Sequence, residues 1–112
     1  MTAIVAPHAE NPHAGQGPVV LDIGGDVGAL VVAMPEAMAG LEIEIRPVGA
    51  NPGAHLSHVG VVARAAGGRT TWSAVFPELG AGRYELYERV EGQVRLIVDI
   101  FGGEVTEVRW PR

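Results

Sequence analysis

The chain has no cysteine and no lysine, and only two each of Trp, Tyr and Phe. Without cysteine, disulfides and thiolate chemistry are excluded, while the compartment stays open. All eight basic residues are Arg. Beside the heavy Ala, Gly and Val content this suggests a GC-rich bacterial genome, so the Arg bias need not signal phosphate recognition. Basic charge is scarce, and the formal net charge is -5. That argues against nucleic acid, whose phosphates need a basic footprint, and against an anionic membrane surface. No run approaches the ~18 apolar residues of a membrane span. The opening MTAIVAPHAENPHAG has neither a basic nor a long apolar segment, so no secretory leader is expected. A soluble cytoplasmic protein is the expectation. No segment holds a helical period over three turns, which leaves no βαβ unit.

Turn formers are plentiful, with sixteen Gly and eight Pro in 112 residues, 47% of which are apolar. One domain with one core fits that length. Residues 1–17 read as a flexible tail and 18–112 as a single domain. Short strand-like runs then alternate with turns. They cover residues 19–23, 28–34, 41–47, 56–65, 70–76, 83–90, 93–100 and 104–110, with a helical turn at most over 35–40. Run 28–34 is apolar throughout, as a strand buried on both faces would be. Run 41–47 alternates, with Leu41, Ile43 and Ile45 opposite Glu42, Glu44 and Arg46. Glu91-Gly92 suits a tight hairpin turn. The pattern predicts an all-β fold, an antiparallel β-sandwich of seven to eight strands.

The stretch VVLDIGGDVGAL, residues 19–30, invites a nucleotide- or S-adenosylmethionine-binding reading. Asp22, Gly24 and Gly28 fit D-x-G-x-G-x-G, with Asp26 where the middle glycine should stand, and Glu42 or Glu44 supplies an acid about twenty residues on. Such glycines must open a helix whose N-terminal amides hold the ligand. The chain instead continues with ALVVAMP, a poor helix, and it is too short for a doubly wound sheet. A hairpin turn at Gly24-Gly25-Asp26 is therefore expected, and no cofactor.

FPELGAGRYELY, residues 76–87, resembles the phrase F-x-x-L-x-A-G-x-Y of prealbumin-like domains, including carboxypeptidase regulatory-like and Cna-B-type modules. Its members here are Phe76, Leu79, Ala81, Gly82 and Tyr84, and beyond them come the Gly102-Gly103 turn and a V-T-x-V strand. The resemblance spans roughly residues 28–110 and implies a prealbumin/immunoglobulin-like sandwich with a tyrosine corner at Tyr84. It implies no activity, since the phrase is structural. The whole pattern also resembles a group of short uncharacterised bacterial proteins, some labelled phospholipase. No G-x-S-x-G elbow is present, and the Tyr-Arg-Gly-Ser ending of hydroxyisourate hydrolases is replaced by VRWPR.

Few residues offer chemistry. His55 and His58 are the candidate metal ligands, though a spacing of three on a strand puts them on opposite faces unless His55 lies in the preceding loop. His8 and His13 fall in the tail. Ser57 beside His58 suggests a nucleophile and base, but adjacent strand residues point apart. Glu42 and Glu44 share a face and are expected to be balanced by Arg46 and by cross-strand partners such as Arg64 or Arg95. Trp72 is expected in the core. Tyr87, on the polar face of its strand beside Arg89 and Arg95, is the candidate contact surface.

Two functions are compatible with these residues. The first is a non-catalytic binding or protein-interaction module, with a protein partner or a second copy held at a strand edge or on the Tyr87/Arg89/Arg95 face. Any small-molecule ligand is unidentified. The second is a small hydrolase-like or metal-binding protein built around His58 with Arg64, Asp22 and Asp26, which requires His58 in a concave pocket.

Overall fold

A computed structural model describes residues 4–5, 23–50 and 57–111. The described strands are β1 (Ile4–Val5), β2 (Val27–Met34), β3 (Glu42–Pro47), β4 (Ser57–Gly60), β5 (Val62–Ala66), β6 (Arg69–Gly80), β7 (Gly82–Glu88), β8 (Val94–Ile100) and β9 (Val105–Arg109). A 3-10 turn over Glu36–Met38 comes after Pro35. The strands form two sheets, ordered β1-β8-β7-β3-β4 and β5-β6-β2-β9. Pairing is antiparallel except for β1 on β8 and β2 on β9. Strand β1 falls in the stretch read as a tail. The rest of that tail, run 19–23 apart from Ile23, and His55 lie outside the described residues. No helix among the described residues is long and apolar enough to cross a membrane.

Alternation explains the sandwich. Leu30 and Val32 of β2 with Ala74 and Phe76 of β6 meet Ile43, Ile45, Leu86, Leu96, Val98 and Ile100 of the facing sheet, all buried in one cluster. The opposite face of β2 is also buried, at Ala29 and Val31 against Val75 and Val105. This is why β2 has no polar alternation. Run 56–65 breaks into two strands that belong to different sheets. Val61 turns into the core, donating to Leu41 O at 2.8 Å and accepting from Gly40 at 3.0 Å. Strand β6 runs past Phe76 to Gly80 because Pro77 falls in a bulge. Phe76 pairs Leu30 and Leu79 pairs Gly28, so β6 carries one residue more than β2 there, where no N–H is needed.

Among the glycines of residues 24–28, Gly25 serves the turn and Gly28 the close packing. Gly24 and Val27 exchange both backbone hydrogen bonds at 2.9 Å around Gly25, whose φ is 56°. That is the hairpin turn the sequence predicts, and it leads into a strand. The 102–103 turn closes against it. Gly103 donates to Val27 O at 2.9 Å, and Ala29 donates to Glu104 O at 3.0 Å. Tyr84 forms the predicted corner, its hydroxyl donating to Gly80 O at 2.7 Å.

Candidate functional site

The outer face of the β8-β7-β3-β4 sheet gathers most of the residues singled out by sequence. Strand β3 sits between β4 and β7, with Glu44 opposite both His58 and Tyr87, and Arg46 opposite Glu85. His58 Nε2 lies 3.2 Å from Glu42 Oε1. Arg89 reaches Glu42 Oε2 at 3.0 Å and Glu44 Oε2 at 3.6 Å. Arg46 donates to Glu85 at 2.9 Å and lies 4.9 Å over the Tyr87 ring. Arg83 grips Asp99 with two hydrogen bonds, at 2.7 and 3.0 Å. The result is a belt of paired charges across the sheet.

Several expectations need correction. The cross-strand partner of Glu42 and Glu44 is Arg89. Arg64 stands in the other sheet and donates to Ser73 Oγ at 2.8 Å. Arg95 turns back to Glu91 at 3.6 Å, with its side chain only 15% exposed. The cause is a bulge in β8. Leu86 pairs Leu96 while Tyr87 pairs Val94, so Arg95 is the extra residue. Tyr87 does lie on the polar face, yet it is 5% exposed and no contact surface, because Arg46 covers its ring. Of the Tyr87, Arg89 and Arg95 set, only Arg89 is open to solvent. Trp72 packs against the core from its edge. The sequence signals for the belt are the alternating acids of β3 and the acid–arginine pattern of β7.

The belt has little capacity for catalysis. Both carboxylates that could serve His58 are engaged by Arg89. Arg64 is in the other sheet and Asp26 is in the turn before β2, so neither joins His58. Asp22 lies outside the described residues. Ser73 is buried and accepts from Arg64. Among the described residues no group of three His, Cys, Asp or Glu could hold a metal ion.

Electrostatics of the belt is structural. The Arg83 guanidinium holds the Asp99 carboxyl below its ordinary value. Burial pushes the Tyr84 phenol above 10.0. Burial, and then the Glu44 carboxylate, do the same for Tyr87 against a smaller opposing pull from Arg46. For a phenol whose folded value is raised, the favourable contribution is complete below the unfolded value and is lost as pH rises through the folded one. Stability should therefore fall above about pH 10. Tyr84→Phe should cost about 1 kcal/mol at neutral pH and flatten part of that alkaline fall. Denaturant melts from pH 8 to 11 check both, and an unchanged alkaline slope in the variant would contradict the assignment. Comparisons with protein-family models, with curated proteins and with solved structures find no match.

Proposed function

We propose that the chain is a non-catalytic interaction module that pairs edge to edge along β4 and β5, with a second copy of itself as partner. The observation that carries this reading is the apolar corner around Val61, where Leu41 is 40% and Val62 is 43% exposed. Among the described residues, strands β4 and β5 are edges of their two sheets. Natural edges are blunted by charge, Pro or brevity. The β9 edge carries Glu107 and Arg109 and runs into Pro111, and β1 has two residues. The only charged residue of β5 is Arg64, which is turned onto Ser73. An apolar edge with free ladder positions favours strand addition. The alternative, a hydrolase-like or metal site at His58, has the His58–Glu42 contact in its favour and, among the described residues, no third group to complete it.

Light scattering over a range of concentration tests the proposal. The wild type should move from monomer toward dimer mass. Val62→Lys should raise the dissociation constant at least about tenfold, because an ammonium at a closing edge costs more than about 1.4 kcal/mol. A monomer at every concentration, or a dimer indifferent to the substitution, would overturn it.

A further inference from the structure

Strand β2 leaves its sheet at Pro35, just after Met34 has paired with Trp72, while β6 still has Thr70 and Thr71 beyond that point. On the other side Ala33 pairs Arg109 and accepts from the Trp110 amide at 2.9 Å. The gap is a pocket of about 560 Å³, within the ~300–1,000 Å³ of small-molecule sites. Met34, Trp72 and Trp110 line it with apolar surface, and Arg109, Thr71 and Glu36 supply polar groups.

The charges around it are not balanced as elsewhere. Among the described residues Arg46, Arg83, Arg89 and Arg95 each meet a carboxylate. Arg69 and Arg109 meet none among those residues. Register places Arg109, Ala33 and Ser73 on one face, where Arg64 reaches Ser73. Alternation along β6 puts Arg69 and Thr71 on that face as well. Three guanidinium groups thus share one face of one sheet, with Arg109 the one that lines the pocket, in a protein of net charge -5.

We propose that this pocket binds a small organic anion with a flat apolar body. The body lies against the half-buried Trp72, over a floor closed by the buried Met34 and Trp110, and the anionic group is held by Arg109 at the rim, whose planar donors match carboxylate and sulfonate oxygens. Glu36 opposes the charge and sets an upper limit on affinity.

The two tryptophans of the chain both line this pocket, so indole fluorescence responds to a ligand held there, and the Arg109 variant ties the response to this site. Two probes of like shape separate its components: 8-anilino-1-naphthalenesulfonate and the uncharged N-phenyl-1-naphthylamine. The sulfonate should quench the indoles by energy transfer and bind at least about tenfold more tightly than the amine, as one charge-assisted hydrogen bond provides. Arg109→Gln should cut that preference to about twofold or less, whereas Arg83→Gln, on the other sheet, should keep it. Glu36→Gln should tighten sulfonate binding about twofold. Circular dichroism shows that each variant is folded. Absence of indole quenching, equal binding of the two probes, or a preference that survives Arg109→Gln would each overturn the proposal.

Discussion

Gly102→Ala should destabilise the fold by about 3 kcal/mol, the upper part of the overpacking range. The backbone at Gly102 is not left-handed, so the cost is purely steric. An added Cβ would collide with Gly25 O and press on the Asp26 Cα at 2.9 Å. Both neighbours are backbone, held by the Gly24–Val27 bridge and by the bond from Gly103 to Val27, so neither can swing aside. Gly28→Ala should behave alike, since its Cβ would meet Phe101 O and, at 3.0 Å, Glu104 O. Urea unfolding measures both. A loss under about 0.5 kcal/mol would mean that the two turns do not pack as described. Gly28 fits a cofactor loop in sequence because both demands, approach to a phosphate and approach to another backbone, select the residue without a side chain.

Leu86→Ala should cost about 3 to 4 kcal/mol with an unchanged denaturant slope. Leu86 is fully buried on β7, facing the core between Ile45 of β3 and Leu96 of β8. Its neighbours are β-branched or paired on both sides, which leaves little freedom to collapse into the void. A loss below about 1.5 kcal/mol would place Leu86 at the margin of the core. A changed slope would point to altered compactness of one of the two states.

The parts legible in sequence are those governed by local periodicity. The alternation of β3, the unbroken apolar run of β2, the Gly25 turn and the Tyr84 corner are each set by residues within a few positions of one another. Sequence hides register. The pairing of Glu42 with Arg89 joins residues 42 and 89, and nothing local marks it. The extra residue at Arg95 is equally silent, and it withdraws that side chain from the face where alternation puts it. Tyr87 shows a subtler gap. Its face is readable, but its burial depends on a guanidinium from the neighbouring strand. The break at Val61 has a local sign in Gly60, yet a continuous strand and a sheet-switching one share the same alternation there.

Amide hydrogen exchange, measured across roughly a hundredfold range of protein concentration, tests the interaction reading most directly, because association protects the amides that it pairs. The account predicts that β4 and β5 gain protection as concentration rises while the β9 edge does not. Protection that is independent of concentration at β5, or that appears at β9 instead, would contradict it.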